Sequence, residues 1–469
     1  MTPSILVDCI VVLMIAIIVA HSLVLKRQGR WMAFDPLVFF WIGVFVVYML
    51  QPVANIEKLV AWHSIELLEL TFLYILLAVI CVIIGYESRL GIRLVSVIPG
   101  APARLDGQKV IAACLLSVAV GFLGYLHLFG SSGGLGKWLS VARGGTNYDA
   151  TFGYIAQLKV FFDGGVVFLL LCSLLFPLSR LARGAIWTFG ILIIAWYLYL
   201  GSRSMFILLS LSVLSAFYLP KRTNPSLLLL GVVFFVVFTV VNFQGLYRDR
   251  FINLSFNVTT TEMVSSSALA VTVLDMERDN PQSQRKYNQG GEFNVMMNTI
   301  KYVPDEVPYH YGYNYLELFT RLVPRAWWPE KRYPGLEAFQ GVLQRLGGGA
   351  PARVRRTNLI MGPAFTFVGY WYYLGGYVAL VLAAIGTGVL FRLVRGLFDR
   401  APGNQGDVIL YSQLYLFGFG EAATTPTGWL YSLPFTMLFL LLVFRFCKAK
   451  PEIPIGEGEK SLATAWVES

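Results

Sequence analysis

Charged side chains are scarce in this chain: Lys, Arg, Asp and Glu make up 14% of 469 residues, against 56% hydrophobic. A soluble protein of this length needs far more charge to cover its surface, so a water-soluble globule is excluded and a bilayer is the natural solvent. Cysteine is sparse as well. Cys9, Cys81, Cys114 and Cys172 lie inside apolar runs and Cys447 in a basic C-terminal segment, which argues against both a disulfide framework and a cysteine metal site. There is no Walker loop and no dinucleotide glycine pattern. Asp275, Glu277 and Asp279 alternate, but on a helix only the first and last share a side, so no metal and no cofactor are expected. The opening MTPSILVD has no lysine or arginine ahead of its apolar stretch, the reverse of a cleavable signal peptide, and the first helix is expected to be an anchor.

What the chain does have is long apolar runs. Runs of roughly 17 to 23 residues, enough for about 30 Å of hydrocarbon, occur at 4–24, 36–53, 67–85, 109–129, 156–176, 186–201, 204–219, 226–246, 373–395, 407–422 and 429–446. The expected fold is therefore an all-α polytopic membrane protein of about eleven crossings. The net charge of +10 sits in short clusters between runs, unlike the stripe of a nucleic-acid binder. Lys26, Arg27 and Arg30 follow the first run, and Arg89, Arg93, Arg104 and Lys109 the third. Arg180 and Arg183 follow the fifth, Lys221 and Arg222 the seventh, Arg392, Arg395 and Arg400 the ninth, and Arg445, Lys448 and Lys450 the last. With eleven crossings all of these fall on one side, which the positive-inside rule makes cytoplasmic. The N-terminus is then outside and the C-terminal tail, 447–469, inside.

The organisation expected is a membrane block at 1–246, a large outer connection at 247–372 and a second membrane block at 373–446. A structureless connection that long is unusual, so helices are expected within it at 260–279, 291–302, 313–323 and 335–346. The second and third end at Pro304 and Pro324. The fourth carries Leu336, Phe339, Val342, Leu343 and Leu346 at helical spacing, and its stripe is expected to pack on the membrane domain or lie in the interface. A shorter outer loop spans 130–155. No internal repeat is visible, which counts against the inverted-repeat transporter folds.

The densest local pattern is PYHYGYNYLELFTRLVPRAWWPEKRYPG, Pro308 to Gly335. Aromatic density of this kind suits a membrane-interface belt or a sugar-stacking surface. The order Tyr311-Gly312, Tyr315, Pro324-Arg325, Trp328-Pro329 and Lys331, in the large outer loop, resembles the Wzy-type polymerases of O-antigen and exopolysaccharide repeat units. GGEFNVMMNTIKYVP before it and the Gly-Ser-Arg at 201–203 are similar to what such polymerases show at those places. The resemblance implies a GT-C-like glycosyltransferase of the bacterial inner membrane. Its donor and acceptor would be undecaprenyl-pyrophosphate-linked glycans, its partner a chain-length-regulating membrane protein, and polyprenyl pyrophosphate its leaving group. The nearest enzyme rival is an O-antigen ligase and the non-enzyme rival a polysaccharide or lipid transporter.

A departing pyrophosphate needs planar, bidentate donors, which guanidinium groups supply. Between 321 and 356 the loop holds Arg321, Arg325, Lys331, Arg332, Arg345, Arg353, Arg355 and Arg356 against Glu330 and Glu337. A solvated face or lipid-headgroup contact is the plainer account of this cluster. Arg203 lies between two apolar runs, where a charge is costly unless it faces a cavity, a partner or the interface. Arg143 is the candidate in the shorter loop. Pyrophosphate binding is thus assigned to Arg143, Arg203, Arg325, Lys331, Arg353 and Arg356, and substrate contact to Tyr311, Tyr315, Trp328 and Glu421. For the group that takes a proton from the attacking hydroxyl, His310 and Glu292 are the candidates. His310 is also readable as a packing histidine and Glu292 as a stabiliser of a helix N-terminus. Lys159 and Asp163, four apart, are expected to neutralise one another.

Reporter fusions after Gln28, Gly100, Ala182, Arg222, Arg400 and Lys450 should read as cytoplasmic, and one after Gly290 as external. A cytoplasmic reading at Gly290 would put the large loop on the wrong side for an external catalytic face.

Overall fold

The computed structural model describes residues 5–131, 158–199, 203–226, 292–311, 366–401, 404–415 and 427–449, with short stretches between 228 and 240 and between 418 and 422. The expected loop helices at 260–279, 313–323 and 335–346 lie outside the described residues. Described regular structure is helical, with one isolated bridge between Leu105 and Lys448. The helices are α1 (Ile5–Arg27), α2 (Pro36–Val44), α3 (Gln51–Ala54), α4 (Ile56–Trp62), α5 (Ile65–Glu87), α6 (Arg89–Val97) and α7 (Gly107–Ser131). They continue with α8 (Lys159–Leu175), α9 (Arg180–Tyr199), α10 (Arg203–Tyr218), α11 (Glu292–Tyr302), α12 (Phe367–Asp399), α13 (Gln405–Leu414) and α14 (Thr427–Phe446). Among the described residues six helical stretches are long and apolar enough to cross a bilayer: 5–27, 36–53, 65–87, 107–130, 180–198 and 367–399. Shorter apolar helices occupy 161–175, 209–218 and 436–446.

The ends of these helices follow from local chemistry. Asp35 caps α2, its carboxylate accepting from Leu37 N at 2.9 Å, with Pro36 in the first turn where its missing N–H costs nothing. Ser64 caps α5 by accepting from Leu67 N, and Asn404 caps α13 by accepting from Asp407 N. Between α2 and α3 the helix widens to a π-helical stretch, Phe45–Leu50, just ahead of Pro52. Proline crowds the carbonyl four residues back, here that of Tyr48, and the wider turn relieves this while keeping the run continuous.

The firmest crossing is between α5 and α12, and glycine makes it possible. A Cβ at Gly85 would stand 2.1 Å from the Ile385 carbonyl oxygen, and one at Gly388 2.1 Å from that of Val82. The two backbones thus touch with no side chain between them, an arrangement open only to small residues. Around this crossing one apolar cluster gathers parts of α1, α2, α5, α11 and α12, including Met14, Phe40, Phe72, Met296 and Phe367. A second joins α7, α8, α13 and α14 to the end of α12, and a third joins α7, α8, α9 and α10. On the outer faces Val12, Leu116, Leu123, Ile191 and Leu382 are exposed, as lipid-facing side chains must be.

The basic joints meet at one end of the bundle. Asn224 Oδ1 accepts from Ala33 N, Arg222 donates to the Phe398 carbonyl, Arg400 donates to the Ile98 carbonyl and pairs with Asp407 at 2.8 Å, and Asp106 N donates to the Cys447 carbonyl. Segments expected on a common side from charge alone are therefore in contact. At the opposite end lie α3, α4, α11 and the start of α12.

Gly85→Ala and Gly388→Ala should each destabilise the detergent-solubilised protein by roughly 1–3 kcal/mol or more through overpacking. Gly386→Ala, where nothing lies within 4 Å, should be neutral or slightly stabilising. Thermal unfolding that ranks the three alike would show that the α5–α12 contact is looser than described.

Candidate functional site

α11 is the one loop helix within the described residues, and it begins and ends where Glu292 and the approach to Pro304 place it. It is not a surface helix. Phe293 and Val295 to Ile300 are buried, because α5, the π-helical stretch and the start of α12 enclose it. The Phe293 ring lies 5.5 Å from that of Phe72, and a Cβ at Gly369 would sit 3.3 Å from Met296 Cα. Thr299 satisfies its hydroxyl by donating to the Val295 carbonyl at 2.8 Å. Two polar contacts fix the first turn: Gln51 Nε2 donates to Glu292 Oε2 at 3.0 Å, and His63 Nε2 shares a short hydrogen bond with Asn294 Oδ1.

The chain leaving α11 runs to a break in α12. A helix of that length, rising about 1.5 Å per residue, is far longer than the hydrocarbon core needs, and it divides at Gly375 and Gly376. Gly376 has φ +68°, ψ −156°, a conformation that side chains avoid. The ninth apolar run was expected from 373; the helix begins at Phe367, because an aromatic first segment, Phe367 to Leu374, precedes the break. Breaking the helix removes the amide partners of its last carbonyls. The loop supplies substitutes: His310 N donates to the Tyr373 carbonyl at 3.0 Å and Tyr311 N to that of Leu374 at 2.9 Å. Tyr309 closes over the glycine, its hydroxyl 2.8 Å from where a Cβ on Gly376 would be. Tyr309 also contacts the rings of Tyr311 and Tyr372, and Tyr372 that of Tyr74.

His310 is therefore held by its backbone at the break, with its ring edge-on to Tyr373 at 5.4 Å between centroids. Tyr311, at φ +45°, is 75% exposed and offers an open ring face. Glu292 is elsewhere, in the first turn of α11 beside Gln51, and the ten helical steps from Glu292 to Tyr302 rise about 15 Å. The two candidate bases thus sit in different surroundings. Arg203 is the first residue of α10, and its side chain is outside the described set. Arg143, Tyr315, Arg325, Trp328, Lys331, Arg353, Arg356 and Glu421 also lie outside the described residues. Asp163 accepts from the Tyr197 hydroxyl, itself 2.7 Å from that of Tyr125; the side chain of Lys159, its expected partner, lies outside the described residues. Among the described residues no group of three or more His, Cys, Asp or Glu converges.

Several polar residues here have no motif behind them. His63, Asn294 and Gln51 anchor α11, and only the Gly-Gly pair inside an apolar run marked the break in advance. At the basic end, Asp35 accepts from the Tyr86 hydroxyl at 2.7 Å and Arg395 pairs with Asp399 at 2.9 Å, all but Asp399 buried. Compared with known proteins, the chain matches no family model, no curated protein and no solved structure.

Burial holds the His63 imidazole below its usual value, and the nearby Lys301 charge adds to this, while the Asn294 contact opposes it. The unfolded chain then binds a proton before the folded one does, so stability from neutral His63 is present above about pH 6.5 and is lost as pH falls through the folded value. Hydrogen exchange, corrected for intrinsic rates, should show weaker protection of 292–302 at about pH 5.5 than at about pH 7.5. His63→Gln should flatten that difference; equal protection at both values in the wild type would remove His63 as the anchor.

Proposed function

We propose that this protein polymerises polyprenyl-pyrophosphate-linked oligosaccharide repeat units into O-antigen or exopolysaccharide at the outer face of a bacterial inner membrane. In this reading it has eleven crossings, with the N-terminus outside and the C-terminus cytoplasmic. The observation that carries the reading is the seating of Tyr309 to Tyr311 on the broken α12. It sets the first residues of the aromatic motif, up to Tyr311, at the end of the bundle opposite the basic joints. An apolar cleft of about 330 Å³ adds support: Pro52, next to Gln51, and Phe72, which meets Phe293, both line it. A cleft of that lining, among membrane spans, suits a hydrocarbon tail whose polar head lies near α11.

The chemistry is a glycosyl transfer. A hydroxyl of the acceptor glycan attacks the anomeric carbon of the donor, the bond from that carbon to the pyrophosphate oxygen breaks, and the hydroxyl proton passes to a base. Holding two lipid-bound reactants in register supplies most of the acceleration, since the donor bond is already activated. His310 and Glu292 are the proposed candidates for that base: His310 is held at the break in α12, and Glu292 accepts from Gln51 in the first turn of α11. Arg143, Arg203, Arg325, Lys331, Arg353 and Arg356 are the proposed partners of the leaving pyrophosphate. Tyr311, Tyr315 and Trp328 would stack on sugar rings, and Glu421 is proposed as a further substrate contact. A chain-length-regulating membrane protein is the proposed partner. One feature favours a transporter instead: a helix interrupted inside a membrane span is a common transporter device.

Purified protein given polyprenyl-pyrophosphate repeat units, without ATP, nucleotide sugar or metal, should release lipid pyrophosphate and build a ladder of longer glycans. His310→Ala should lose turnover while binding donor, and Arg325→Lys and Arg203→Lys should rescue poorly, since a point charge lacks the guanidinium fork. A transporter moves the substrate without lengthening it. Intact protein with matched substrate and no ladder would retire the polymerase reading.

A further inference from the structure

α6 is a helix with three distinct faces. Gly91 and Val95, one turn apart, are its buried residues and press on α12: a Cβ on Gly91 would stand 2.8 Å from Arg392 Cβ, and one on Gly396 2.6 Å from Val95 Cγ2. Leu90, Leu94 and Val97, at i, i+4 and i+7, form a second face and are 53%, 38% and 78% exposed. Arg89 and Arg93 share a third, and both are exposed. The segment cannot swing freely. It turns off α5 at Ser88, and beyond its C-terminus Arg400 donates to the carbonyls of Ile98 and Pro99. Three exposed aliphatic side chains beside two arginines, on a helix held rigidly at the end of a membrane bundle, make no sense in water.

We propose that α6 lies in the plane of one leaflet and binds anionic phospholipid, with Leu90, Leu94 and Val97 among the upper acyl chains and Arg89 and Arg93 on the headgroup phosphates. Ile80 and Ile84, on the last turns of α5 before the chain turns into α6, are exposed as well. Charge complementarity selects the headgroup: a leaflet rich in anionic lipid attracts cationic side chains near its surface, Lys and Arg alike. A short helix of strong amphipathicity with arginines on its polar side is the pattern that interfacial helices show. Because α6 is packed on α12 through glycine, lipid bound there also steadies the second half of α12. The inference is independent of any enzymatic activity.

The test uses the full-length protein in nanodiscs of phosphatidylcholine alone or mixed with phosphatidylglycerol, read by thermal unfolding and by native mass spectrometry of retained lipid. Wild type should unfold at higher temperature with phosphatidylglycerol and retain it in preference to phosphatidylcholine. In Arg89→Gln/Arg93→Gln that preference should fall about thirtyfold, two arginines at about 1 kcal/mol each. Arg104 and Lys109 remain on the same joint to keep the topology. Arg89→Lys/Arg93→Lys should keep most of it, which separates lost binding from lost folding. Wild type indifferent to phosphatidylglycerol, or a neutral pair retaining the full preference, overturns the proposal. So does a change of oligomeric mass in Leu90→Gln/Leu94→Gln, which would assign the face to a second copy of the chain.

Discussion

A carbonyl freed inside a membrane span has no water to turn to, so any interruption of a helix there must be answered by the protein itself. α12 is interrupted at Gly375 and Gly376, and the answer comes from residues more than sixty positions earlier, the amides of His310 and Tyr311. That exchange commits the whole end of the bundle. For the amides to arrive, the chain has to pass along α11, and α11 has to be seated between α5, the π-helical stretch and the first segment of α12. The seat exists because α5 and α12 approach backbone to backbone at Gly85 and Gly388.

The two ends of the molecule solve opposite problems. At the basic end, charge is abundant and is kept in order by pairing and by backbone carbonyls: Arg30 with Glu87, Arg400 with Asp407, Arg222 on Phe398. At the other end neutral groups do much of the positioning: Gln51 donates to Glu292, Asn294 Oδ1 accepts from His63, and the amides of His310 and Tyr311 donate to carbonyls of α12.

The six long apolar helices among the described residues were legible because the bilayer imposes both a length and an apolar content, and each imposes itself on the residue pattern. α11 was legible for a local reason, an acid at its start and Pro304 beyond its end. Its burial was not. Phe293, Met296, Met297 and Ile300 trace one face, but Val295, Asn298 and Thr299 are buried as well, since three neighbours surround the helix and periodicity records only one. The His63–Asn294 contact spans 231 positions and leaves no local mark. Arg395 carried the signature of a topology marker, yet it is buried in a network with Tyr411 and Asp35. Charge near a helix end has the same appearance in sequence whether it points out or in. His310 and Tyr311 were found through the motif, although what holds them, a helix break, is a backbone property.

Pinning Tyr311 to Leu374 also ties together two points 63 positions apart in the chain. The entropy of closing such a loop grows only with the logarithm of its length, about 0.6 kcal/mol for each doubling. Insertions and deletions between the two points therefore leave the clasp almost untouched. A chain built this way can change the length and composition of the connection between those two points while the bundle stays as it is, so the clasp and the variable stretch are free to diverge at different rates.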